Sequence, residues 1–154
     1  MAAYFFDSSA LVKRYVREPG STWVQTVLSS ASEAHTYVVV IAAVEVVSAV
    51  SRTARGGALS LPEKERLLNQ FRADYTTEYR RVEITNAVIQ RAMDLAENYY
   101  LRAYDAVQLS AALEIQRLRL AANLPPLVFV SADAALNTAA EAEGLVVENP
   151  NARE

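Results

Sequence analysis

Apolar runs of two different periods alternate along this chain. Tyr4-Phe5-Phe6 is a short aromatic run that meets Asp7-Ser8-Ser9 and continues from Ala10 to Tyr15 with helical spacing. A buried strand feeding a helix has this pattern, with the polar triplet at the strand's C-terminal edge. Glu18-Pro19-Gly20 predicts a turn, and Ser21 opens a second helix that runs to about Ser30. His35 to Val40 is rich in β-branched and aromatic residues, as strands are, and hands over to an apolar helix from Ile41 that ends near Arg55-Gly56-Gly57. Between Val38 and Val50 only Glu45 and Ser48 are polar, and the run is too short and too interrupted to span a membrane. Leu61-Pro62-Glu63-Lys64-Glu65 places proline and acids in a first helical turn, predicting a helix to about Tyr75.

Arg80 to Ile84 alternates like a strand, and Thr85 or Asn86 caps a helix from Ala87 to about Asn98. The next helix, Arg102 to Leu120, is apolar on more than one face through Tyr104, Val107, Leu109, Ala111, Ala112, Ile115 and Leu118, and is expected to be mostly buried. Leu127 to Val130 reads as a core strand. Ser131-Ala132-Asp133 opens a helix to Glu143, Gly144 closes it, and Leu145 to Glu148 is a last short strand. Strands alternating with helices predict a mainly parallel sheet flanked by helices. The expectation is one α/β domain over residues 1–150, with four or five strands.

Composition narrows the chemistry. The chain has 154 residues, 52% of them hydrophobic, which suits a packed globule and excludes a disordered segment. It has no cysteine and one histidine, which removes disulfides, thiol catalysis and Cys/His zinc sites. Lack of cysteine fits a reducing cytoplasm, and no charged-then-apolar leader opens the chain, so a cytoplasmic location is expected. The net charge is −3, with 13 arginines against 2 lysines. Bulk acidity argues against nucleic-acid binding, whereas arginine forks suit phosphate recognition.

Four acids stand where a core is expected. Asp7 and Asp133 follow strands, Glu45 lies among valines and alanines, and Asp105 starts the most apolar helix. Each has a plainer use taken alone. Asp7 and Asp133 suit helix caps, Asp105 suits the positive end of a helix dipole, and Glu45 suits a solvated helix edge near Arg52. Those uses do not explain why all four occur in one small α/β domain, where ligands bind beyond the carboxyl ends of the strands. Four carboxylates converging there need a cation, and an all-oxygen donor set suits Mg²⁺ or Mn²⁺. Carboxylate-held magnesium serves phosphodiester chemistry without any histidine.

In four segments the chain resembles the PIN-domain family, and within it the VapC-type toxins of toxin–antitoxin pairs. They are FFDSSALVKRYVREPGS, VVVIAAVEVVSAVSR, LRAYDAVQLSAAL, and VFVSADAALNTAAEAEGL followed by VVENP. The segment from Leu59 to Ile84 is less diagnostic. The resemblance implies a Mg²⁺-dependent endoribonuclease in which Asp7 and Asp105 are the principal metal ligands. Glu45 and Asp133 would complete the cluster or orient the attacking water. Ser9 and Ser131 match hydroxyl positions beside the first and last acids and would assist the metal shell. Phosphate contacts would fall to Lys13, Arg14, Arg52, Arg55 and Arg102, each of which also reads as a solvated helix residue. A cognate antitoxin is implied, and the apolar stretches at Val44 to Val50 and Tyr99 to Leu101 lead us to expect a homodimer.

Two other classes compete. An aspartyl-phosphate phosphatase also begins with a strand-end aspartate, but in its D-x-D pattern the second position is here Ser9, which cannot serve as general acid. A non-catalytic partner module would use the acids only to bind a cation for stability.

Overall fold

Ala2–Phe6 forms strand β1, and it is buried on both faces except at its first residue and Tyr4. That two-sided burial marks a central strand of a parallel sheet covered by helices. The computed structural model describes residues 2–30 and 34–153. The chain continues through α1 (Ser8–Leu11), which tightens into a 3₁₀ turn at Val12–Arg14, then α2 (Ser21–Ser29) and β2 (Ala34–Val39). Helices α3 (Ala42–Arg55) and α4 (Leu61–Thr77) lead to β3 (Arg80–Val82), and α5 (Asn86–Tyr99) is followed by α6 (Ala103–Ala121). Strand β4 (Val128–Val130), α7 (Ala134–Ala142), β5 (Val146–Glu148) and a 3₁₀ turn at Pro150–Ala152 complete the described chain.

The five strands form one parallel sheet in the order β3-β2-β1-β4-β5. The upper bound of the expected four or five strands is reached, and every pairing is parallel. Chain progression moves outward from β1 through β2 to β3, then returns to the other side of β1 for β4 and β5. The reversal therefore falls between β1 and β4, where an open parallel sheet leaves a crevice beyond its strand ends. Register keeps those ends level: Phe6 pairs with Val130, and Val130 with Glu148.

Phe5 and Phe129, fully buried on these neighbouring strands, stack with ring centroids 5.8 Å apart. Leu11, Val24, Leu28, Leu109, Leu127 and Leu136 pack around the sheet with no exposure above 1%. At roughly 1.5–3 kcal/mol for each large apolar side chain buried, this layer supplies most of the fold's driving force.

Local signals account for the helix ends. Ser60 and Glu63 form a reciprocal capping box ahead of α4, and the Thr85 hydroxyl accepts from the Val88 N–H ahead of α5. Helix α6 is mostly buried, as expected: from Ala106 to Leu113 it is buried all round apart from half-buried Val107, and exposure is confined to its ends, where Tyr104 is 57% and Leu118 50% exposed. Two expectations need correction. Strand β3 stops at Val82, because β2 ends at Val39 and leaves Glu83 and Ile84 without a partner strand. The apolar stretch from Ile41 is amphipathic rather than wholly buried, with Val44 exposed. Among the described residues no helix is long and apolar enough to cross a membrane.

The C-terminal 3₁₀ turn packs on the start of α2. Gly20, with φ +86°, brings its backbone so close to Pro150 that a Cβ there would lie 2.3 Å from the Pro150 carbonyl oxygen. Gly20→Ala therefore meets both a left-handed backbone and a backbone clash. It is expected to cost about 2–4 kcal/mol in urea or thermal unfolding. An alanine variant as stable as the parent would show that this contact does not form.

Candidate active site

Each of the four acids stands at the N-terminal end of a helix. Asp7 caps α1 and Asp133 caps α7, while Glu45 and Asp105 lie in the first turns of α3 and α6. The plainer uses considered for three of them are therefore geometrically real. They do not compete with convergence, because all four acids line one cleft of about 490 Å³. Helix N-termini carry partial positive charge, which offsets part of the repulsion among carboxylates gathered around one space.

Asp7 is the most constrained of the four. Its Oδ1 accepts from the Ala10 N–H at 3.0 Å and the Ser9 hydroxyl at 2.7 Å, and its Oδ2 accepts from the Ser131 hydroxyl at 2.7 Å. Its own N–H donates to the Val130 carbonyl, extending the β1–β4 ladder by one residue. Ser9 and Ser131 are each used twice. Ser9 Oγ accepts from the Ala132 N–H, and Ser131 Oγ accepts from the Asp133 N–H. Asn137 donates to the Ser131 carbonyl, and Asp133 accepts from the Leu136 N–H. The two serines thereby tie the ends of β1 and β4 together beneath the cleft. Ser9 lines the cleft; Ser131 is fully buried and lies outside its lining.

Across the cleft, Glu45 Oε1 accepts from the Ser8 hydroxyl at 2.7 Å and from Gln108 Nε2 at 3.1 Å. Gln108 Nε2 also donates to Ser8 Oγ at 2.8 Å. Asp105 accepts no hydrogen bond among the described residues. Neither Ser8 nor Gln108 was singled out as a site residue from the sequence. The available signal was Gln108 itself, a polar residue one helical turn after Asp105 on the most apolar helix.

The five basic candidates separate. Arg52 lines the cleft, held by its NH1 donating to Ser48 Oγ at 3.1 Å. Arg102 caps α6 next to the cleft, and its charge reaches Asp105. Arg55 is exposed at the end of α3 and does not line the cleft. Lys13 is buried, its ammonium 3.9 Å from Glu18. Arg14 donates to Glu78 at 2.8 Å and to the Tyr79 hydroxyl at 2.7 Å, in a cluster where Tyr15 also donates to Asp74. That cluster joins the first 3₁₀ turn to the end of α4, and Arg14 is committed to it.

Burial pushes the Asp7 carboxyl up to about 6, against the pull of the Ser131 and Ser9 hydroxyls and the Ala10 N–H; the charge of Asp105 adds to the rise. The Asp105 carboxyl is also raised, first by desolvation and then by Asp133 and Glu45, with Arg102 opposing. Among the described residues, no three acid or imidazole side chains approach closely enough to enclose a bare ion.

A carboxyl raised on folding adds stability that is complete below its unfolded value near 3.9 and is lost as pH rises through the folded value. In metal-free buffer, lowering the pH from 7 through 6 towards 4 is therefore expected to stabilise the fold at Asp7, by an amount on the order of 2–3 kcal/mol. Asp7→Asn keeps an acceptor for the cap and should flatten this part of the profile. Thermal melts of both proteins in EDTA across pH 4–7 measure it, and identical profiles would remove Asp7 as the titrating group.

No protein-family model and no curated protein matches the chain by sequence. Solved structures do match by shape. FitAB bound to an IR36 DNA fragment is 15% identical, covers 98% of this chain and 97% of its own, and superposes with a TM-score of 0.69. VapBC2 from Rickettsia felis, bound to a DNA fragment from its promoter, is 13% identical over 96% of this chain and 98% of its own, with a TM-score of 0.61. A toxin–antitoxin complex from Klebsiella pneumoniae is 15% identical over 96% of this chain and 97% of its own, also at 0.61. At these identities the likeness concerns the fold, and it spans nearly the whole chain. The five-stranded parallel sheet, its strand order and the crevice beside β1 together give this chain the PIN-domain fold.

Proposed function

We propose that the chain is a metal-dependent endoribonuclease and the toxin of a toxin–antitoxin pair. The observation that carries this reading is the meeting of four carboxylates, from four separate helix N-termini, in one cleft at the sheet's switch point. The cleft contains no cysteine or histidine, so neither thiol nor imidazole chemistry competes.

The donor set fits a hydrated cation. All available ligands are hard oxygens, and Mg²⁺ binds through one or two carboxylates while keeping several waters. That agrees with acids that line a shared space without closing on one point. Asp7 Oδ1 already accepts two hydrogen bonds, whereas Oδ2 accepts one, so Oδ2 retains a lone pair. Asp7 and Asp105 are the proposed principal ligands of Mg²⁺ or Mn²⁺, with Glu45 and Asp133 reached through water. A cation held there supplies a water nucleophile of lowered pKa and offsets charge on the phosphate. Ser9 and Ser131 hold the Asp7 carboxylate in place. Glu45 and Asp133, each with one oxygen free of protein donors, orient the attacking water. Arg52 on the rim pairs with a backbone phosphate.

The partner part of the reading draws on the solved neighbours, which include toxin–antitoxin complexes. A largely apolar groove lined by Ala43, Val44, Val47, Phe71 and Tyr75, with Arg72 as its one charged residue, adjoins the cleft and suits an apolar antitoxin segment. Exposed Val44 and Tyr100 also support the proposed homodimer, which light scattering at micromolar concentration would reveal.

Purified protein is expected to cleave single-stranded RNA internally with Mg²⁺ or Mn²⁺ and to stop in EDTA. Asp7→Asn and Asp105→Asn should each lower the rate about 100-fold or more, equivalent to about 2.7 kcal/mol of barrier. Full activity in either variant would overturn the assignment. Arg52→Ala should weaken RNA binding uniformly across sequences and reduce its salt dependence by about one phosphate contact. An unchanged salt slope would place the phosphate contact elsewhere.

A further inference from the structure

Gln108 is 2% exposed in the middle of α6, where Ala106, Leu109, Ser110, Ala111, Ala112 and Leu113 are also buried. A buried amide brings two donors and an acceptor that all need partners. Its nitrogen is satisfied by Ser8 Oγ and Glu45 Oε1. Its oxygen is buried with no donor among the described residues. The amide cannot be turned over to relieve this, because a carboxylate oxygen only accepts, and the reversed amide would set oxygen against oxygen at Glu45. An unbranched apolar side chain of the same length would fill the space without the orphaned oxygen. Packing therefore does not account for a glutamine at this position.

The contact with Glu45 does. Ser8 from α1, Glu45 from α3 and Gln108 from α6 form a closed triangle of hydrogen bonds at 2.7, 2.8 and 3.1 Å. Both donors converge on one carboxylate oxygen, Oε1, and Oε2 receives none among the described residues. A glutamate with three rotatable side-chain bonds is thus pinned through one oxygen while the other is left for the cleft it lines. Partners of this kind, behind a ligand, orient it, and their loss typically weakens metal affinity or activity 10–100-fold.

We propose that Gln108 is a positioning residue for Glu45: together with Ser8 it fixes Oε1 and so presents Oε2 to the water and cation of the cleft. This rests on the nuclease reading of the same cleft.

The test uses Gln108→Met, which keeps length and shape, alongside Ser8→Ala, Glu45→Gln and the Gln108→Met/Glu45→Gln double variant. Mn²⁺ is titrated into each metal-free protein, and each is melted in EDTA. Gln108→Met is expected to melt at or above the parent temperature, since the orphaned oxygen is gone, yet to bind Mn²⁺ about 10- to 100-fold more weakly. Ser8→Ala should shift affinity in the same direction, and it stands in if the Met variant folds poorly. Added to Glu45→Gln, the Gln108→Met change should weaken Mn²⁺ no further. Parent-like Mn²⁺ affinity in both Gln108→Met and Ser8→Ala, with Glu45→Gln weakened, would overturn the proposal. A parent chain that binds no Mn²⁺ would instead defeat the metal reading of the acids. The clamp is then read from the melts in EDTA, where Glu45→Gln must shift the melting temperature differently with and without Gln108→Met; equal shifts overturn it.

Discussion

A carboxylate buried at the junction of β1 and β4 is the constraint around which this molecule is arranged. Asp7 is 2% exposed, where an unsolvated charge is costly unless donors surround it. The chain supplies three: a backbone N–H from the helix Asp7 itself caps, the hydroxyl of Ser9, and the hydroxyl of Ser131 from the far side of the switch point. Satisfying this one group fixes the spacing between the ends of β1 and β4. The cleft is the space that remains above them. Even so, the donors do not fully compensate for burial, and the carboxyl stays raised.

The way the acids are held explains how one small domain tolerates them. Capping is usually regarded as a structural duty and ion binding as a functional one. Here the residues that start α1 and α7 perform the first with one oxygen and leave the second oxygen facing other business. Asp133 Oδ1 accepts from the Leu136 N–H, and Asp7 Oδ1 from the Ala10 N–H. Removing such an acid therefore changes helix stability and local charge in opposite directions, and the sum is small or large according to which dominates.

Much of this was legible from residue order. The strand-to-helix alternation gave the parallel sheet, and the isolated polar residues in apolar runs pointed to Asp7, Glu45, Asp105 and Asp133. These features depend on local pattern, which sequence displays directly. What was not legible depends on which helices meet. Nothing in the neighbours of Lys13 or Arg14 along the chain indicates that one is buried beside Glu18 and the other bound to Glu78 and Tyr79 of α4. Gln108 was hidden for a related reason. A glutamine in a helix is unremarkable until burial is known and its partners arrive from residues 8 and 45. The exposure of Tyr104 and Leu118 was obscured because apolar residues all round a helix do not say how far its two ends run past the elements that cover its middle.

Val44 belongs to two concave surfaces at once, since it borders both the acidic cleft and the apolar groove between α3 and α4. An occupant of the groove that displaced Val44 would alter the mouth of the cleft, and an occupant of the cleft that displaced it would alter the groove. The free energy of that interference is one quantity, and it has the same value whichever ligand arrives first. Affinity measured at one surface would then report on the other, through a single valine that lines both and is the chain neighbour of Glu45.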